Sequence, residues 1–419
     1  MHLSSNWNRR GFLGTAAAIA ASIFAPRKLF STTSAPASGS AAVTGFGQTG
    51  NPYEELGVTT VINCEGTMTM LGGSIIRPEL EAVMAMAGRH FVSVPELEVA
   101  AGKRIAEMLK LPEGFTALVT SGAAAAIQSG LAGILTGSDE SKIRQLPDIT
   151  GMKSEVIIQK SHRNPFDHQL RNTGIKLVVI ETREQLAQAV SDRTAMMHFT
   201  NFANAGGQIK VDEWPKLAKQ YGIPCMNDAA ADTPPVSHLW DYANMGYDLV
   251  TFSGGKAMRG PQCAGLLIGR KEMVANALLN NSPHEDTIGR SQKVGKEEII
   301  GMIKAVEVYL REDHDALAKE WQGRLVAISH ELAKVPGVTT SFYTPEVANR
   351  VPHMQILWDS KISLTPQEVS KLLRSGKPSI VLGTGEEKPG LNMNSFMLQA
   401  GEEKAVAEQL TRILREHSA

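Results

Sequence analysis

Short apolar runs alternate with stretches of helical spacing from about residue 58 to the end of the chain. Residues 58–63, 115–120, 156–159, 176–180, 194–199, 223–227, 249–253 and 264–268 are short and largely apolar, and read as strands. Segments of helical period lie between most of them, 183–190 and 213–221 for example, and 78–86 also has helix character. The clearest amphipathic helix is 97–109, with Leu97, Ala101, Ile105 and Leu109 near one face. Such alternation predicts an α/β fold with a mostly parallel sheet covered on both faces. Ligands in these folds lie at the carboxyl ends of the strands. Ser121, His162, Asp228 and Lys256 all fall at or just beyond such ends, which argues for one shared site.

Each of these positions has a chemical reading and a plainer one. The apolar run 249–252 ends in Ser253, two glycines and Lys256. A lysine there is placed to form a Schiff base, with Ser253 beside a phosphate; the plainer reading is a solvated loop lysine. Thr120-Ser-Gly-Ala-Ala-Ala-Ala126 marks a strand turning into a helix, whose free N–H groups suit a phosphate. Ordinary N-capping by Ser121 is the alternative. The stretch is not a Walker loop, since the lysine and the glycine spacing are absent. His162 can stack on a planar ring and assist proton transfer, or be a loop histidine; His168 is a weaker candidate. Asp228 ends a buried strand, where a carboxylate needs a partner such as a protonated ring nitrogen, or caps a helix.

Composition changes the picture mainly at the start of the chain. Residues 1–37 carry Arg9, Arg10, Arg27 and Lys28 and no acidic residue. A paired arginine, a bulky apolar pair, a run of small or apolar residues and Ala35-Pro-Ala37 form the layout of a twin-arginine export signal. The apolar run is too short to span a bilayer. The expectation is a periplasmic protein, exported folded by the twin-arginine machinery and without a stable membrane span. Residues 38–50, rich in Ser, Ala, Thr and Gly, read as a flexible linker. The formal charge of −1 leaves the body at about −5 once the leader is removed, with no basic run. That excludes nucleic acid as the main partner. Cys64, Cys225 and Cys263 show neither metal-ligand spacing nor a disulfide framework, and Cys225 and Cys263 read as buried thiols in strands.

Taken together, the 120–126 motif, Asn227-Asp-Ala-Ala-Ala231 and Ser253-Gly-Gly-Lys-Ala-Met-Arg-Gly-Pro-Gln262 resemble those of fold-type I pyridoxal phosphate enzymes. More narrowly, the set is similar to the group joining L-seryl-tRNA(Sec) selenium transferase and D-glucosaminate-6-phosphate ammonia-lyase. Ile288-Gly-Arg290, Lys293-Val-Gly-Lys-Glu-Glu298 and Met397-Leu-Gln-Ala-Gly-Glu402 also match that group. The resemblance implies a large domain with a seven-stranded, mainly parallel sheet and a smaller C-terminal α/β domain, linked by a long helix starting near Glu297. Expected boundaries are 51–95 for an N-terminal segment, 96–310 for the large domain and 311–419 for the small one. It implies pyridoxal 5'-phosphate held by Ser121, Gly122, Ala123 and Ser253, with His162 over the ring, Asp228 on the ring nitrogen and Lys256 as the Schiff-base lysine. It further implies a homodimer or higher oligomer, with Arg290 and Lys293 reaching a phosphate or substrate across the interface.

Two departures bear on substrate. Ala231 stands where many relatives have glutamine, and 380–384 and 391–394 lack the carboxylate-binding arginine of the wider superfamily. Substrate anchoring then falls to Arg77, Arg259 or Arg290. The expected activity is α,β-elimination on an amino acid or amino sugar acid. A racemase, aldolase or transaminase is the alternative, and a non-catalytic pyridoxal phosphate-binding protein the second. Selenium transfer to a charged tRNA is disfavoured by the export signal and the acidic body.

Overall fold

A computed structural model describes Gly47, residues 50–385 and residues 389–418. The twin-arginine signal at 1–37 and nearly all of the 38–50 linker lie outside the described residues. The chain divides into two compact units between Val58 and Thr59, within the expected 51–95 segment. In the first unit a single helical turn, Pro52–Glu55, starts where the Asn51 side chain accepts the Tyr53 N–H at 3.0 Å.

The second unit holds two layered regions. After the short strand β1 (Val61–Asn63), seven strands form one sheet: β2 (Phe115–Thr120), β3 (Glu155–Gln159), β4 (Lys176–Ile180), β5 (Thr194–Thr200), β6 (Cys225–Asp228), β7 (Leu249–Ser253) and β8 (Gly265–Arg270). Their order is β2-β8-β7-β6-β5-β3-β4. Only β8 runs against its neighbours, so the sheet is mainly parallel. All seven residues of β5 are buried, as a central strand covered on both faces requires.

Helix Gly122–Thr136 explains its own alanine-rich sequence. It lies almost wholly buried under the sheet and against Lys271–Leu279. A Cβ at Gly130 would lie 2.6 Å from Met226, and one at Gly133 2.6 Å from the Ala277 nitrogen. Small residues therefore set how near the helix comes, and fix its first turn at the sheet edge. The amphipathic helix begins earlier than its spacing predicts, at Val94, and runs to Leu109 with Ala101, Ile105 and Leu109 buried.

A four-stranded antiparallel sheet makes the second region, from β9 (Val338–Tyr343), β10 (His353–Trp358), β12 (Gly383–Thr384) and β13 (Leu391–Asn394). Beside it β11 (Ser379–Val381) pairs in parallel with β1, so Val61 faces Ser379. The connection from the large sheet is two helices rather than one. Lys296–Tyr309 ends before a break, and Asp313 caps His314–Leu332 by accepting the Ala316 N–H at 2.9 Å. Cys263 departs from expectation: it sits in the turn before β8 and is exposed, whereas Cys64 and Cys225 are buried. Among the described residues no helix is long and apolar enough to cross a membrane.

Candidate active site

Three strand ends meet at one cavity of about 310 Å³. Ser121, Gly122 and Ala123 follow β2, Asp228 is the last residue of β6, and Ser253 with Lys256 closes β7. Neighbouring β6 and β7 put Asp228 opposite Thr251. Gly265, the first residue of β8, faces both Thr120 and Ser253. A Cβ there would lie 2.5 Å from the Gly122 carbonyl carbon and 2.8 Å from the Ala123 nitrogen. A bare backbone at 265 is thus what lets the helix start and Ser253 converge. Gly122 itself has φ +78°, a turn that glycine makes without strain.

The helix start is free to receive an anion. Ser121 occupies the N-cap position but makes no side-chain cap hydrogen bond. Its hydroxyl is therefore not spent on a cap, and the first N–H groups, which have no partner within a helix, lie at the positive end of the helix dipole. On the other wall, Asp228 Oδ1 accepts the Ala230 N–H at 3.1 Å and the Thr251 hydroxyl at 3.4 Å. Oδ2 takes no hydrogen bond among the described residues. Burial pushes the Asp228 carboxyl above its ordinary value; the Ala230 N–H, Lys256 and Thr251 pull it back. The Lys256 amine makes no hydrogen bond or ion pair among the described residues, and burial pushes it below the usual lysine value, opposed by Asp228. A desolvated, unpaired amine facing a buried carboxylate is a reactive arrangement, and a poor structural one.

Other expected site residues lie elsewhere. His162 is fully buried: its Nδ1 accepts the Thr200 N–H at 3.1 Å, and its Nε2 sits 3.2 Å from Gln159 Nε2. Its ring stands edge-on to Phe199 at 4.4 Å. The 3₁₀ turn Lys160–His162 carries the side chain inward, so it does not line the cavity, and burial with the Lys210 charge lowers its pKa to about 4. The exposed Phe166, from the same loop, reaches the cavity wall, as does Phe202. His168 is exposed and away from it. Arg77 is committed to a forked ion pair with Glu312, and Arg259 gives its Nε–H to the Ile75 carbonyl at 2.8 Å. Neither these two nor Arg290 and Lys293 line the cavity.

Asn201 and Asp232 were missed in the sequence. Asn201 directly follows β5, and the carboxyl-end rule that picks out Asp228 would have found it. Its amide donates to Asp232 and to the Tyr242 hydroxyl, while its buried Oδ1 has no partner among the described residues. Asp232 also takes the Ala348 N–H at 3.1 Å, and the Asn349 N–H reaches the Ala231 carbonyl at 2.7 Å. A loop preceding β10 thereby closes part of the wall.

Known proteins resemble this chain over the span that builds the cavity. Residues 100–289, the span carrying all of these strand ends, match the family model described as aminotransferase class-V. The chain is 26% identical to the D-glucosaminate-6-phosphate ammonia lyase of Salmonella typhimurium, over 88% of this chain and 100% of that one. The solved structure of such an ammonia-lyase superposes with a TM-score of 0.76 at 25% identity, covering 88% of this chain and all of that one. This chain is a fold-type I pyridoxal phosphate enzyme. Two further relatives are a 5'-C-glycyluridine monooxygenase-decarboxylase of Streptomyces sp, 27% identical over 87% of this chain and 92% of that one, and an L-seryl-tRNA(Sec) selenium transferase of Carboxydothermus hydrogenoformans, 24% identical over 85% and 74%. The cavity fits pyridoxal phosphate on its own features. The uncapped helix start suits the phosphate, the free oxygen of Asp228 suits a ring N–H, and the amine of Lys256 is unpaired.

Proposed function

We propose that this pyridoxal phosphate enzyme catalyses α,β-elimination on an amino acid or amino sugar acid, releasing ammonia and a keto acid. The carrying observation is the desolvated, unpartnered amine of Lys256 sharing one cavity with the buried carboxylate of Asp228. The name of the Salmonella relative, which spans its full length here, supports elimination over the other outcomes. When bound, pyridoxal phosphate supplies an electron-poor ring that acidifies the substrate Cα–H. Ser121, Gly122, Ala123 and Ser253 would hold the phosphate, and Asp228 would keep a proton on the ring nitrogen. Lys256 Nζ would take the Cα proton, since burial lowers its pKa and makes the free amine easier to reach. The leaving group departs from Cβ with its electron pair, and water hydrolyses the released enamine to the keto acid and ammonia.

Polar groups at the wall, Asn201, Asp232, Thr69 and Gln262, suit a hydroxylated substrate. No arginine lines the cavity among the described residues. We infer that a second copy of the chain supplies the cation for the substrate carboxylate, Arg290 and Lys293 being the candidates, and that the enzyme works in the periplasm. Purified protein incubated with a panel of amino acids and amino sugar acids, assayed for ammonia and keto acid, tests the reading. Lys256→Ala should lose nearly all turnover; normal activity in that variant would sink it.

A second reading follows from the Streptomyces relative, whose name joins oxygenation to decarboxylation. Oxygen uptake with carbon dioxide release, in place of ammonia, would favour it.

A further inference from the structure

A second cavity, of about 50 Å³, lies on the other side of the lysine turn, where Ala257 rather than Lys256 forms its wall. It shares no lining residue with the larger cavity. The space takes about three to five water-sized particles. Trp321, Phe396 and Leu317 make part of the wall apolar; Arg77, Arg259 and Glu312 supply its charge.

The charges do not balance. Arg77 is 8% exposed and forks onto Glu312 through both terminal nitrogens, but its buried Nε–H has no partner among the described residues. Arg259 spends only its Nε–H, on Ile75, and its terminal nitrogens make no hydrogen bond or ion pair among the described residues. The neighbouring Arg77 adds to burial in pushing the Arg259 guanidinium below its ordinary value. Glu79 acts on Arg259 as well, but it is exposed and outside the wall. Two guanidinium groups, Arg77 and the half-buried Arg259, face one carboxylate, Glu312, in a partly apolar space. An uncompensated charge there is costly unless a counter-charge joins it.

The backbone adds a second observation. Arg259 has φ +52°, a left-handed conformation that costs a side-chain-bearing residue energy and that persists where the surroundings impose it. Its N–H donates to the Lys256 carbonyl at 2.9 Å. A group that holds the Arg259 side chain therefore also holds the turn that presents Lys256.

We propose that this cavity binds a small monovalent anion, of halide or single-carboxylate size, between Arg77 and Arg259, and that its occupancy steadies the Lys256 turn. The site is independent of which amino acid the enzyme turns over. Crystals of the full chain soaked in sodium bromide should show an anomalous peak in the cavity. Melting temperature should rise saturably as chloride or formate replaces gluconate at constant ionic strength, gluconate being too large to enter. The halide and formate arms separate the two kinds of anion. Arg259→Gly should fold, since glycine adopts φ +52° freely, and should lose the peak and weaken the anion effect at least about tenfold. Arg259→Lys, which keeps a charge, should retain a weakened effect. A wild-type cavity without bromide, an equal rise with gluconate, or an undiminished effect in Arg259→Gly would overturn the proposal.

Discussion

Glu98 gives the sharpest stability test, because one group dominates it. It lies on helix Val94–Leu109, is 2% exposed, and its Oε2 has no hydrogen-bond partner among the described residues. Burial pushes its carboxyl from an ordinary 4.5 up to about 8, with the Val119 N–H pulling the other way. At pH 7 the folded group is neutral while the unfolded one is ionised. A raised carboxyl pKa means that stability is full below about pH 4.5 and is lost as pH rises towards 8. At about 1.4 kcal/mol per pH unit between those limits, the loss is about 3 kcal/mol at pH 7 and nearly 5 above pH 8. Glu98→Gln keeps shape and an acceptor oxygen but cannot ionise. Urea denaturation at a series of pH values should give equal stabilities at pH 4.5, with the variant pulling ahead by about 3 kcal/mol at pH 7. Two curves that stay parallel from pH 5 to 8.5 would refute the reasoning.

The buried histidines predict the opposite slope. His162 is lowered to about 4 and His198 to about 3, chiefly by burial. Folded pKa values below 6.5 mean that stability falls as pH drops through 6.5 and the unfolded chain takes up protons. In the Glu98→Gln background, replacing His198 with Gln should remove about 1.4 kcal/mol per pH unit of that acid slope between pH 6 and 4.5, read from denaturation midpoints. Gly265→Ala would place a methyl 2.5 Å from Gly122; it should cost roughly 1–3 kcal/mol and weaken pyridoxal phosphate binding, measured by absorbance titration. Asp228→Asn keeps the Ala230 contact but not the charge, and turnover should fall at least about a hundredfold with the fold intact by circular dichroism.

The strand ends were legible because strand–helix alternation alone places Ser121, Asp228, Ser253 and Lys256 on one side of a parallel sheet. The same pattern is silent on rotation at a strand end. Residues Lys160–His162 turn once more, and that turn swings His162 into the core and leaves Phe166 at the wall. Arginine partners were equally invisible: Arg77 meets Glu312 across more than two hundred residues, a pairing set by tertiary packing. Cys263 looked buried because an apolar run follows it, yet the strand begins only at Gly265. A break between two helices was hidden too, since Asp313 acts as a cap only once the chain has turned.

The β1–β11 pairing joins segments roughly three hundred residues apart, an entropically expensive closure that local contacts cannot prepay. A growing polypeptide leaves Ile62 without its neighbour until Ile380 has left the ribosome. Completion of the smaller region is therefore among the last events of synthesis, and a chain shortened by a few dozen C-terminal residues would emerge with its earliest strand still unmatched.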